Sequence, residues 1–160
     1  DQEDKRPYAA AFGGIGLLAL ILGLNLSLTW PLPGNHNILF GETTTLFGAV
    51  FLMTGYALSQ GWNLFPVSIF AFFAGIDAFL MGLNILFSKT SQEPLISVLG
   101  FLLIGLLGIF SAPYLMYFQN KNIFRWVAIG SLLITAAIWL LIFGGELWSH
   151  LDNFVIWIPQ

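Results

Sequence analysis

The chain of 160 residues contains no cysteine, and only 8% of its residues are charged. Without cysteine there can be no disulfide bond, no thiolate nucleophile and no zinc or iron–sulfur site ligated by thiolates. A soluble globular domain carries about 25% charged residues. The shortage of charge therefore excludes an ordinary soluble fold and predicts a lipid bilayer as the surroundings of the protein.

The chain also lacks any cluster of basic residues. Five basic and eight acidic residues give a formal net charge of −3, and they are scattered along the sequence. A nucleic-acid surface needs a basic patch, and a polybasic lipid-binding segment needs about four to eight clustered Lys or Arg residues. The sequence therefore predicts no nucleic-acid partner and no polybasic lipid-binding segment.

Long apolar stretches dominate what is present. Apolar residues make up 58% of the chain, and the mean hydropathy is +0.85. Five stretches approach the roughly 20 apolar residues that a transmembrane helix needs, at about 8–29, 43–58, 65–87, 94–118 and 123–143. The predicted fold is an all-α, polytopic transmembrane helix bundle, a single domain over residues 1–160, in which Pro113 kinks the fourth span.

The two ends of the chain differ from these spans. The sequence begins Asp-Gln-Glu-Asp-Lys-Arg, without an initiator Met or a signal-peptide pattern, which predicts a further helix upstream of Asp1. At the other end, residues 144–160 contain Glu146, His150 and Asp152 among aromatic residues. This stretch is too polar for a sixth span, so we expect it to lie along the membrane interface.

The basic residues predict an orientation. With five crossings, Lys5, Arg6, Lys121 and Arg125 fall on one side of the membrane and Lys89 alone falls on the other. Cytoplasmic loops of membrane proteins are enriched in Lys and Arg. We therefore expect the Lys5 end to be cytoplasmic, and the C-terminus and the loop between the first two spans to be outside.

That outer loop, residues 29–42, is the longest polar connection between spans. Its prolines and glycines exclude a continuous helix. Its aromatic and polar side chains are Trp30, Asn35, His36, Asn37, Phe40 and Glu42. Two interpretations remain open, a packed interfacial cap and a vestibule that faces a ligand.

Asp77 is the most informative single residue, since it falls near the middle of the third span. An acid at this depth costs about 2.5–3.5 kcal/mol on insertion scales, and intramembrane acids commonly serve function. No Lys or Arg lies at that depth, so the carboxyl group is either protonated or in contact with water or polar side chains. Asn84 lies two turns further on the same face, and Asn25 and Tyr56 are polar groups that could meet it. The alternatives are a pore residue and a buried structural hydrogen-bond donor.

The remaining polar residues give no sign of an enzyme. Glu42 is interpreted either as a charge at the N-terminus of the second span or as a residue at a pore mouth. His36 and His150 are the only histidines, and both lie outside the spans, so a bis-histidine haem is not predicted. No metal-ligand spacing, nucleophile elbow, phosphate loop or zinc-protease motif occurs. We predict no catalytic activity, no metal site and no cofactor.

Glycines recur at intervals of seven residues within the spans. The pairs are Gly16 and Gly23, Gly48 and Gly55, and Gly75 and Gly82, with a denser set at Gly100, Gly105 and Gly108. Residues seven apart lie on nearly one helix face, and small residues let membrane helices approach closely. These strips therefore predict the contact faces between helices.

Several short motifs carry a resemblance. Trp30-Pro31-Leu32-Pro33-Gly34, Asn37-Ile38, Phe40-Gly41-Glu42 and Gly61-Trp62-Asn63-Leu64 resemble an uncharacterised family of small prokaryotic integral membrane proteins, over nearly the whole chain. The resemblance implies a location in the prokaryotic cytoplasmic membrane and implies no activity.

The layout is more distantly similar to the urea and amide channel family. The shared features are a polar start, a proline-bearing outer loop with His36, a glycine-rich span, a turn from Gly61 to Pro66 and an aromatic C-terminus. That likeness implies six helices per protomer, a ring of protomers and a solute pore through each. The loop in this chain is short and has one histidine, so it differs from family members whose loops carry a histidine cluster for proton gating.

Two functions follow from the sequence. The first is a channel or transporter for a small polar neutral solute, acting as a homo-oligomer. Its pore or solute-binding residues would be Asp77, Asn84, Asn25, Tyr56, Trp30 and Glu42, with His36 and Asn35 in the outer loop. The second is a non-catalytic accessory subunit that packs against partner subunits of a larger membrane complex.

Overall fold

In a computed structural model of the protein, the described residues are 4–32, 36–88 and 94–153. The helices are α1 (Ala9–Thr29, preceded by a 3-10 turn at Arg6–Tyr8), α2 (His36–Gln60), α3 (Phe65–Ser88), α4 (Pro94–Pro113, continued by a π-helix at Tyr114–Phe118) and α5 (Asn122–Asn153). Five helices are long and apolar enough to cross a membrane. The prediction of an all-α bundle with five spans is confirmed.

Two helices exceed their predicted bounds. α2 begins at His36, whereas its span was predicted from residue 43. The buried side chain of Asn37 explains this, because its Oδ1 accepts a hydrogen bond from the Leu32 N–H at 2.9 Å and its Nδ2 donates to the Leu32 carbonyl. These bonds tie the start of α2 to Leu32. At the other end, α5 continues past Gly144 to Asn153, and the aromatic residues 154–160 lie outside the described part.

The helices pair into two tightly packed hairpins, α1 with α2 and α3 with α4. In the first, a Cβ added to Gly16 would lie 2.2 Å from the backbone nitrogen of Leu52, and one added to Gly48 would lie 2.5 Å from that of Leu20. In the second, a Cβ on Gly75 would lie 2.5 Å from the nitrogen of Ile109. Backbones therefore touch along the glycine strips, as the seven-residue spacing predicts.

Side chains join the hairpins to each other and to α5. The buried cluster comprises Leu39 of α2, Ala78 and Ile85 of α3, and Val98 and Phe101 of α4. Phe101 is fully buried, and its ring centroid lies 5.8 Å from that of Phe40 on α2 and 5.2 Å from that of Trp139 on α5. Phe101 thus links α2, α4 and α5.

We expect Phe101→Ala to reduce the free energy of unfolding by about 2 kcal/mol. Truncating a buried Phe in a soluble protein costs about 3–5 kcal/mol, but part of that is transfer from water, which is absent when separated helices face lipid. Thermal unfolding in detergent measures the change. Phe87→Ala is the matched control, because Phe87 is 81% exposed. Equal stability of the two variants would show that the contacts of Phe101 with Phe40 and Trp139 do not hold the helices together.

The four described basic residues collect at one end of the bundle. The turn at residues 61–64 lies there, since Gly61 has a φ of 68° and sits beside the Arg6 guanidinium. The turn before α5, with Lys121 and Arg125, lies at the same end because α3 and α4 run antiparallel. Which side of the membrane this end faces stays a prediction.

Candidate functional site

Asp77 lies near the middle of α3 and is half-buried between the buried residues Ala74 and Ala78. Its Oδ2 atom is buried and has no hydrogen-bond partner among the described residues. The carboxyl group of Glu42 on α2 is close enough to interact with it electrostatically. Two acidic groups from different hairpins are therefore within electrostatic range of each other.

No cation compensates this pair within the described helices. Lys5, Arg6, Lys121 and Arg125 all lie near the helix ends, and in residues 4–32, 36–88 and 94–153 the single ion pair joins Arg6 to Asp4. Among the same residues no group of three His, Asp or Glu side chains could hold a metal ion. The arrangement can accept hydrogen bonds from N–H or O–H donors and can attract cations.

Glu42 itself is exposed, and it lies in the second turn of α2. The interpretation of Glu42 as a charge at the helix N-terminus is wrong, because the first turn of α2 contains no acidic residue. The helix dipole acts on charges within the first turn. Glu42 therefore lies beyond the first turn of α2, and its role at a pore mouth stays a prediction.

Asn84 extends this region along α3. It follows Asp77 by seven residues, so it lies on the same helix face, and it is exposed. We call Glu42, Asp77 and Asn84 the polar face. Glu42 and Asn84 are exposed in the single chain, whereas Asp77 is half-buried.

The structure does not bring the other predicted pore residues to the polar face. Asn25 is exposed. It lies two residues after Gly23, which is about 200° around the axis of α1, and Gly23 packs on Thr45 of α2. Asn25 therefore faces away from α2, the only spanning helix that α1 contacts in the described chain. Tyr56 lies near the opposite end of α2, where its ring meets that of Trp62 edge-on at 5.4 Å.

Local contacts hold the described part of the loop between α1 and α2. Trp30 ends α1 in a left-handed conformation with a φ of 51°, and its N–H donates to the Leu26 carbonyl. His36 stacks on Phe40 at 6.1 Å, and Asn37 is fully buried. Asn35 lies outside the described residues.

Sequence reasoning named Asn37 within the loop but missed its capping role. The available signal was an amide residue just after a proline-rich turn, which is a common position for side-chain bonds to the backbone. The approach of Glu42 to Asp77 was also missed, because it depends on how α2 and α3 align.

Comparisons with known proteins give one family and no individual relative. No curated protein and no solved structure matches the chain. A family model described as "Protein of unknown function (DUF981)" matches residues 1–153.

Proposed function

The chain belongs to the DUF981 family of proteins of unknown function, and we propose that it forms a homo-oligomeric membrane channel for a small polar neutral solute of the urea or amide type. Its five apolar helices indicate a membrane protein. The observation that carries the proposal is the polar face, in which the exposed Glu42 and Asn84 and the half-buried Asp77 lie on two helices of an apolar bundle.

Lipid is a poor environment for that face. A charged side chain at the bilayer centre costs about 2.5–3.5 kcal/mol, and acids in spans therefore face a water-filled cavity or another protein. A ring of copies with the polar faces inward would surround a hydrated path with carboxyl and amide groups. The outward surface would then be apolar, and exposed leucines such as Leu18 and Leu22 of α1 and Leu140 of α5 suit lipid contact.

The chemistry of the face bears on the solute. Asn84 can donate and accept hydrogen bonds, and the carboxyl groups add acceptors, which suits a solute with both kinds of group. The resemblance to urea and amide channels in layout supports the same class. Rings of Asp or Glu also serve cation channels. Cation flux is therefore the competing result that any transport test of the proposal needs to include.

The alternative function is a non-catalytic accessory subunit. The exposure of Glu42 and Asn84 in a single chain favours it as much as it favours a ring of copies, because a partner helix could cover the same side chains. In that assembly Asp77 would be a hydrogen-bond donor to a different protein, and no water would reach the face.

We expect a cysteine placed at Asn84 to react with a small water-soluble, membrane-impermeant thiol reagent in the assembled protein. The chain has no cysteine of its own, so Asn84→Cys is a single reporter. Leu141→Cys is the control, because Leu141 is 69% exposed on α5 and should face lipid. Mass spectrometry of the labelled protein measures the yield, and particle mass gives the number of copies.

The two functions give different results in this experiment. A hydrated path predicts rapid labelling at position 84, none at position 141 and a homo-oligomeric mass. An accessory subunit predicts no labelling at either position and co-purification with a different protein. The second pattern would contradict the channel.

A further inference from the structure

An apolar groove of about 700 Å³ lies between the end of α4, the π-helix and the first turns of α5. Its walls are mainly aliphatic and aromatic, and they include Leu106, Leu107, Phe110, Phe118, Phe124 and Leu132. Pockets that hold small-molecule ligands have volumes of about 300–1,000 Å³. The groove is therefore large enough for an apolar chain, and it is separate from the polar face.

The π-helix shapes one end of this groove. Pro113 has no backbone N–H and crowds the carbonyl four residues earlier, so the regular α-helix gives way to the wider turn of Tyr114–Phe118. The ring centroids of Phe118 and of Phe124 on α5 then lie 4.3 Å apart. The Lys121 ammonium lies 5.8 Å from the centroid of the Phe118 ring. Such π-helical turns are frequent at functional sites.

Two basic residues at this end have no acidic partner in the part of the chain that the structure describes. Lys121 is exposed above Phe118, and exposed Arg125 directly follows the groove residue Phe124. Neither forms an ion pair among the residues that the structure describes, where Asp4 is the one acid at this end and pairs with Arg6. An apolar groove thus opens beside two positive charges that no acid compensates within residues 4–32, 36–88 and 94–153.

We propose that the groove binds an acyl chain of an anionic phospholipid, whose phosphate is bound by Lys121 and Arg125. The charges are complementary, and basic pockets between transmembrane helices are known to bind anionic lipid head groups. Arg can also bind a phosphate through two parallel hydrogen bonds. Two cations beside a groove form a site of a different kind from the polybasic segment that the sequence excludes. The proposal does not depend on solute conduction.

Native mass spectrometry of the full-length protein tests the charge requirement, with phosphatidylglycerol and phosphatidylcholine of identical acyl chains as probes. We expect the parent to retain phosphatidylglycerol and to retain phosphatidylcholine much less. The double variant Lys121→Gln/Arg125→Gln should bind phosphatidylglycerol about 25-fold more weakly, about fivefold for each charge. Arg6→Gln is the matched control, since it removes a basic residue at the same end that pairs with Asp4.

A second variant tests the groove itself. Ala128→Trp should fill the groove and abolish retention of both lipids, whereas Leu133→Trp, on the exposed side of α5, should not. Lys121 and Arg125 are both exposed, so their replacement by Gln should not disturb folding. The double variant therefore tests the proposal even if Ala128→Trp fails to fold. Equal retention of the two lipids by the parent, or an equal loss in Arg6→Gln, would overturn the proposal. Dissociation of the oligomer by Ala128→Trp would instead assign the groove to a second copy of the chain.

Discussion

Asp77→Leu is expected to abolish solute flux while the protein inserts and folds at least as well as the parent. The substitution removes an acid from the middle of α3, which lowers the insertion cost by about 2.5–3.5 kcal/mol. It also removes one of the two carboxyl groups of the polar face. Stopped-flow swelling of proteoliposomes with urea, short amides and glycerol measures the flux, and a cation-flux assay on the same vesicles covers the competing class.

Two further variants define the role of Asp77. Asp152→Leu removes an exposed acid near the end of α5 and should leave flux unchanged. Asp77→Asn keeps hydrogen-bonding capacity without a titratable charge, so retained flux would assign the role to hydrogen bonding and lost flux would assign it to the carboxylate. Unchanged flux in Asp77→Leu would remove Asp77 from the path. A well-folded parent that conducts none of these solutes would favour the accessory subunit.

Gly16→Ala is expected to destabilise the first hairpin by about 3 kcal/mol or more. The new Cβ would lie 2.2 Å from the Leu52 nitrogen and 2.7 Å from its Cα, and backbone atoms cannot move aside as a side chain does. Overpacking a tight core typically costs about 1–3 kcal/mol, and more when the backbone has to shift. The two helices would have to separate along their whole contact.

Gly14→Ala provides the matched control on the same helix. A Cβ at Gly14 meets nothing within 4 Å, so this change should be neutral or slightly stabilising. Chemical unfolding in mixed micelles measures both variants. If Gly16→Ala were as stable as Gly14→Ala, the close approach of α1 and α2 would be wrong.

The elements that depend on local composition were predictable, since a run of apolar residues specifies a span wherever its neighbours lie. The glycine strips were predictable for a similar reason, because spacing alone puts Gly48 and Gly55 on one face of α2. The first residue of α2 could not be predicted in this way, because it depends on the hydrogen bonds between the Asn37 side chain and the Leu32 backbone.

The candidate site was predictable only in part. Asp77 stood out because an acid is rare in an apolar stretch, and Asn84 followed from its spacing. The proximity of Glu42 could not be read from the sequence, since it requires the alignment of α2 against α3. The groove was likewise hidden, because Pro113 predicts a kink without indicating that a π-helix will position Phe118 against α5.

The pairing of sequential helices bears on how the protein is made. α1 contacts no spanning helix other than α2 in the described chain, so the first hairpin has all its glycine contacts once residue 60 has been synthesised. Contacts between neighbours in sequence form early and with little loss of chain entropy. We therefore expect α3 to insert beside a completed hairpin during biosynthesis, so that Glu42 and the rest of α2 are in place before the segment that carries Asp77.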